Sequence, residues 1–274
     1  MSQLVDGDDG WPAEEVGVWA KDKHAYLRCY LEMSKGARRQ FIDGRAHSAT
    51  FIDLFCGPGR AQIRGTGEWV DGSAVAAWKI SRATNSPFTA IYVADTDAGR
   101  RAACVERLRR LDAPVIEMDC PADEASLEFT QKVNPHGLNF AFIDPYSLGA
   151  LNFNILKNLA SLKRIDMLIH LSAMDLRRNA GKNISGEHSA FDQFAPGWRE
   201  SVSAIASEKE IRRLVVEYWR DLVAGLGLDP SQDVKMITAS QNQQLYWLLL
   251  VAKHELAQKF WKAAVNTDKQ GTLF

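Results

Sequence analysis

Between residues 50 and 171, five short apolar runs alternate with segments of helical period. The runs are Thr50–Cys56, Ala90–Ala94, Pro114–Met118, Leu138–Ile143 and Asp166–Leu171. The helical patterns between them fall at about 73–84, Asp97–Leu111, Glu124–Val133 and Phe153–Leu162. Each run is too short for a helix and is followed by one, which returns the chain to the same end of a sheet. Such strands lie parallel and are joined by right-handed crossovers. A parallel sheet with helices on its faces follows, an α/β fold.

The flanks add the rest. Residues 1–13 read as a frayed acidic leader with Asp6, Asp8 and Asp9, and Lys21–Phe41 as one helix with Tyr26, Leu27, Tyr30, Leu31 and Met33 on its apolar face. Arg60–Gly72 reads as a glycine-rich loop that delays the next helix. Residues 175–200 are polar and irregular, and Ser207–Leu226 is a helix opened by a Ser207/Glu210 capping box. Val234–Ala239 and Leu245–Ala252 then read as strands joined by a hairpin turn at Ser240–Gln244, and Glu255–Val265 as a last helix. Trp219, Trp247 and Trp261 fall in apolar patterns and read as core. The layout divides into an N-terminal leader and helix, 1–45, and a main domain, 46–274. Within the latter, 175–230 is a helical insertion after the fifth strand, a place for substrate recognition. A mostly parallel sheet ending in an antiparallel hairpin is the Rossmann-like, methyltransferase-type layout, as opposed to that of dinucleotide dehydrogenases.

Composition narrows the classes of function. The 274 residues carry a net charge of −1, so nothing global demands nucleic acid or a membrane surface; a nucleic-acid interface would be a local patch. Cys29, Cys56, Cys104 and Cys120 include no C-x-x-C pair and no His pair has ligand spacing, which argues against structural zinc. Unpaired cysteines, an acidic start and the absence of a long apolar run make a cytoplasmic protein the expectation.

In an open α/β sheet the ligand lies beyond the strand C-termini, where strand order reverses. The first strand carries Asp53 before Phe55, Gly57 and Gly59; the second ends in Asp95, the third in Asp119 and the fourth in Asp144. Several carboxylates would repel a pyrophosphate. S-adenosylmethionine offers a sulfonium, an ammonium and two ribose hydroxyls, all suited to acceptors. Asp95 would then take the ribose hydroxyls, Asp119 the adenine amine, and Asp53 would order the glycine turn or face the ammonium. Phe55 counts with this cofactor set. Gly57 and Gly59 allow close backbone approach. Gly57-Pro-Gly59 lacks the third glycine of a dinucleotide fingerprint, and there is no G-K-[ST] phosphate loop. Strand-end aspartates also serve as ordinary turn formers and helix caps.

Phe142-Ile-Asp-Pro-Tyr-Ser147 resembles the D-P-P-Y signature of amino-group methyltransferases, one proline short and with Tyr146 one place early. In that signature a side chain and a proline carbonyl accept from an exocyclic amine, and an aromatic ring stacks on the base. Asp144, Pro145 and Tyr146 are the catalytic candidates on this reading; a strand-ending turn with a packed Tyr is the alternative. Lys23 and His24 at the start of the first helix, and Arg177 and Arg178 after the fifth strand, are substrate-binding candidates, although each is also what a solvated surface carries. A magnesium-dependent hydrolase is disfavoured because no His accompanies the carboxylates.

Several motifs come in a fixed order: Trp19-Ala-Lys-Asp-Lys-His24, Tyr26–Leu31, Phe51–Arg60, Asp71-Gly-Ser73, Phe142–Tyr146, Asp175–Asn179, Val251–His254 and Phe260-Trp261. Together they resemble the bacterial three-Cys-motif partner family over about residues 19–265. The resemblance implies a methyltransferase-type fold and a partner, a radical-S-adenosylmethionine-like protein with three cysteines. Where family members commonly have Phe-Gly after Asp-Pro, this chain has Tyr146-Ser147. Two functions stand: a methyltransferase acting on an N or O acceptor such as a nucleobase or other planar amine, or a non-catalytic partner of that protein or of a nuclease.

Overall fold

A computed structural model describes residues 3–202, 207–239 and 243–266. The chain begins with β1 (Leu4–Asp6), β2 (Pro12–Val16), α1 (Trp19–Met33) and α2 (Lys35–Asp43), then β3 (Ala49–Asp53), β4 (Arg60–Ile63), β5 (Trp69–Asp71) and α3 (Ser73–Ala83). Alternation follows: β6 (Ala90–Ala94), α4 (Ala98–Arg109), β7 (Val115–Met118), α5 (Ala122–Lys132), β8 (Leu138–Ile143), α6 (Phe153–Leu159) and β9 (Ile165–Leu171). Four short helices come next, α7 (Ala173–Arg178), α8 (Ala180–Ser185), α9 (Ala190–Phe194) and α10 (Trp198–Ser201). The long α11 (Glu208–Gly225), β10 (Asp229–Thr238), β11 (Gln244–Ala252) and α12 (Glu255–Asn266) complete the described chain.

The main sheet has seven strands in the order β10-β11-β9-β8-β3-β6-β7. β7, β6, β3, β8 and β9 pair in parallel, and β11 is antiparallel to both β9 and β10. The expected antiparallel hairpin is there, with its second strand seated between β9 and β10. Most of its turn, 240–242, lies outside the described residues. Strand β3 is buried along its whole length, as a parallel strand covered on both faces must be. The period-2 alternation divides it between two cores. Phe51, Phe140, Phe142 and Leu168 pack with α1, α3, α4 and α12, while Ile52, Ala141, Ile143 and Ile169 pack with α5, α6 and α11. Trp219 and Trp261 are fully buried in these two layers, and Trp247 is half-buried.

Three expectations are corrected. The leader is not frayed: β1 and β2 join β4 and β5 in a second sheet of order β1-β2-β4-β5, so the segment expected to be a loop after Gly59 also contains strands. Charge holds this sheet in place. Arg107 of α4, nearly inaccessible, donates to the Asp9 carboxylate at 2.6 and 2.7 Å and to the Pro58 and Pro12 carbonyls at 2.5 and 2.8 Å. Arg60 donates to Asp8 and Asp71 at 2.6 and 3.0 Å. The hydrogen bonds from Arg107 lower the Asp9 pKa to about 2. The acidic start is thus consumed by partners far away in sequence. Second, the first helix is two, broken at Ser34, whose ψ of 0 turns the chain. The turn buries Arg38, which donates to the Ser86 and Leu31 carbonyls at 2.7 and 3.1 Å. Third, 175–200 is not irregular: this first part of the expected helical insertion is helical in short pieces. Among the described residues no helix is long and apolar enough to cross a membrane.

The glycine turn after β3 is a packing device as well as a turn. Gly59 sits at φ +78, and a Cβ there would lie 3.2 Å from both Cys104 Cα and Val75 Cγ2. The Gly72 amide donates to its carbonyl at 2.8 Å. Replacing Gly59 by Ala adds left-handed strain and a crowded contact, and should destabilise the fold by about 1–3 kcal/mol. A lowered urea midpoint at unchanged m-value measures it.

Candidate functional site

The chain runs β3 to β6 to β7 toward one edge and returns to β8 beside β3, so strand order reverses between β3 and β8. Asp53 is in register with Phe142, which brings the glycine turn and Asp144 to the same end of the sheet. Above this point opens a cavity of about 340 Å³, within the small-molecule range. The 54–59 turn, the strand ends carrying Asp95 and Asp144, and α1 all line it.

Asp144 is the most constrained group in the cavity wall. Its Oδ2 accepts from Lys23 Nζ, and its Oδ1 lies 2.5 Å from His170 Nδ1. Burial alone would raise its pKa, but Lys23 and His170 hold the carboxyl well below the usual range. His170, on β9, is shifted downward by burial and by Lys23, against the pull of Asp144. Both ring nitrogens are buried, and among the described residues neither has a hydrogen bond of full geometry. The tautomer is assigned with the Nδ1 proton toward the Asp144 carboxylate, the group that pulls on the imidazole from that side. His24 is held neutral with a pKa of about 3, first by burial and then by Lys23. The edge of the Tyr246 ring, from β11, closes on His170.

The four strand-end carboxylates do not all meet. Asp95 lines the cavity; its Oδ2 accepts from the Gly57 amide at 3.0 Å and its Oδ1 from the Asp97 amide at 2.9 Å. Each carboxylate oxygen keeps a second lone pair for a ligand. Asp53 lies beneath the turn, inaccessible, accepting from the Ser73 hydroxyl at 2.5 Å and the Phe55 amide at 3.2 Å. It orders the turn and does not reach the cavity. Asp119 does not line the cavity: its side chain is 83% exposed and pairs with Arg101 at 2.5 Å. Arg101 itself is held by the Asp95 carbonyl and Glu117.

Phe55, Gly57, Gly59, Pro145 and Tyr146 line the cavity, with Tyr146 69% exposed at its mouth. Gly57 sits at φ +55, and a Cβ there would make ordinary contact with the Glu14 carboxylate, its Oε1 at 3.5 Å. Lys23 and His24 both line the wall. Arg177 and Arg178 do not. Arg177 is bound to the Gln244 carbonyl at 2.5 Å, tying α7 to β11, and Arg178 faces solvent. Asp175, in the first turn of α7, whose amide donates to the capping Ser172 hydroxyl, accepts from the Leu148 amide at 2.6 Å and pins the loop after Tyr146.

Sequence reasoning missed Glu14, His170 and Tyr246. Glu14 pairs with Arg100 beside the cavity, and it was hidden because the strand that carries it forms only in the second sheet. His170 had a signal, a lone imidazole one residue from the end of an apolar strand at the ligand-bearing edge. The expectation that no His accompanies the carboxylates is overturned by its contact with Asp144.

Asp53 carries a pH prediction. Burial raises its pKa to about 7 against the opposing hydrogen bonds of Ser73 and Phe55. The folded state then holds a proton that the unfolded state releases near 3.8, so stability falls as pH rises from about 4 through 7. Urea denaturation of wild type against Asp53→Asn should show the variant's stability falling less over that window. Asp166, raised to about 6, titrates in both proteins and cancels.

No family model matches this sequence, and no curated protein does. Solved structures are similar in fold. Protein LPL1258 from Legionella pneumophila aligns with a TM-score of 0.50 at 7% identity, over 90% of this chain and 94% of that one. M. jannaschii TYW2, solved in complex with AdoMet, aligns at 0.45 and 9% identity, over 92% and 84%. The strand order, with a reversed strand inserted next to the last, makes this a mostly parallel α/β fold of the Rossmann-like methyltransferase type.

Proposed function

We propose that the protein is an S-adenosylmethionine-dependent methyltransferase whose acceptor is a planar amine. One observation carries the reading: the Asp144-Pro145-Tyr146 turn opens onto the same switch-point cavity as Gly57 and Asp95. The residues fit the cofactor. Gly57 presents bare backbone at the wall, Asp95 offers spare acceptor capacity, and Phe55 gives apolar surface. Asp119 is not part of that set. Bound there, the cofactor supplies a methyl group already activated on sulfur. The chain's own part is positioning, worth a large share of such a rate enhancement. Asp144, kept ionised, is an acceptor only, suited to an N–H; the Pro145 carbonyl is the second acceptor, and Tyr146 offers a ring face at the mouth.

The second reading is an accessory role as a member of the three-Cys-motif partner family, beside a radical-S-adenosylmethionine-like protein or a nuclease. The engagement of both Asp144 oxygens by Lys23 and His170 favours it, because only one lone pair on each then remains for a substrate. The motif order supports the family on either reading.

Calorimetry with S-adenosylhomocysteine should show micromolar binding, weakened by roughly 1–3 kcal/mol in Asp95→Ala, the cost of stranding hydroxyls without their acceptor. Tritium transfer from methyl-labelled cofactor to total RNA, DNA and small-molecule fractions should label one of them. Binding with no labelled fraction supports the accessory role; no binding overturns the cofactor assignment.

A further inference from the structure

We propose that His170 is the proton acceptor of the transfer step, with Asp144 as the residue that fixes its tautomer. The inference rests on the methyltransferase reading above. Methylating an amine makes the nitrogen a cation with one proton too many. Its lone pair forms the new N–C bond, the C–S bond breaks with its electron pair going to sulfur, and an N–H proton must leave. Asp144 is the obvious recipient by sequence, yet the geometry disqualifies it. Both its oxygens face cationic or N–H groups, Lys23 on one and His170 on the other. A carboxylate so stabilised is a poor base.

His170 has the complementary properties. With the Nδ1 proton directed at Asp144, Nε2 keeps its lone pair. Among the described residues that atom is buried and has no hydrogen-bond partner. An unsatisfied buried acceptor costs free energy, which a proton-bearing ligand would recover. The residue lines the cavity beside Asp144 and Pro145. The groups that face it are Lys23 and His24 on α1, Asp144 after β8 and Tyr246 on β11. Burial and Lys23 keep the ring neutral at pH 7, the state a base needs. The same carboxylate-to-imidazole order orients the general base in hydrolytic triads.

The test has two arms. Nitrogen-15 NMR of the ligand-free protein at pH 7 should show His170 neutral, protonated at Nδ1, and relaxing toward the Nε2–H tautomer in Asp144→Ala. A doubly protonated ring, or an Nε2–H ring in wild type, overturns the inference. In the second arm, His170→Gln should bind S-adenosylhomocysteine as wild type does, but transfer label to the labelled fraction roughly 10²–10⁴-fold more slowly. It should also lose the acid limb of the wild-type pH profile. Equal labelling by wild type and His170→Gln, or a loss confined to His24→Gln, overturns this inference alone. No labelling in any fraction by wild type overturns the methyltransferase reading, and this inference with it.

Discussion

A buried carboxylate must be neutralised or given hydrogen bonds, and the end of this sheet is organised by that requirement. Desolvation penalises the charged form strongly. The chain meets it in three different ways. Asp144 is matched by Lys23 and His170 and stays ionised. Asp53 receives only a hydroxyl and an amide and holds its proton to about pH 7. Asp95 is held by two backbone amides, that of Gly57 in the glycine turn and that of Asp97 at the entrance of α4. Three aspartates at adjoining strand ends therefore have three roles, set by what the fold brings to each.

Buried guanidiniums do the complementary work on the loops. Arg38, Arg101 and Arg107 are each almost inaccessible, and each donates to backbone carbonyls as well as to side chains. A planar fork with five donors can bind several chain segments at once. Arg107 fastens the second sheet to α4 and to the glycine turn, and Arg101 joins the ends of β6 and β7. The wall of the cavity nearest Glu14 depends on those contacts, since β2 has no place in the main sheet. Rigid walls matter for group transfer, where a small misplacement of the acceptor costs much of the rate.

The sequence by itself determined the alternation of strands and helices from β3 to β9, because burial on two faces leaves period-2 and period-3.6 patterns that are local. It also located the strand ends, and with them Gly57, Asp95 and Asp144. Its motif at Asp144-Pro145-Tyr146 and the helix start at Lys23 both reached the cavity. What it could not determine is which strand-end residues face inward. Asp119 and Asp95 occupy equivalent places in the pattern, yet Asp95 lines the cavity while Asp119, paired with Arg101, does not. The ion pair of Lys23 with Asp144 spans 121 positions and the contact of Glu14 with Arg100 spans 86. The second sheet likewise forms only when residues 12–16 meet 60–63. Pairings of this range leave no periodic trace, since they are made by side chains that the crossovers bring together. Tertiary structure alone decided the charge state of Asp144, the isolation of His170 Nε2 and the role each carboxylate plays, because all three depend on desolvation and on neighbours remote in the chain.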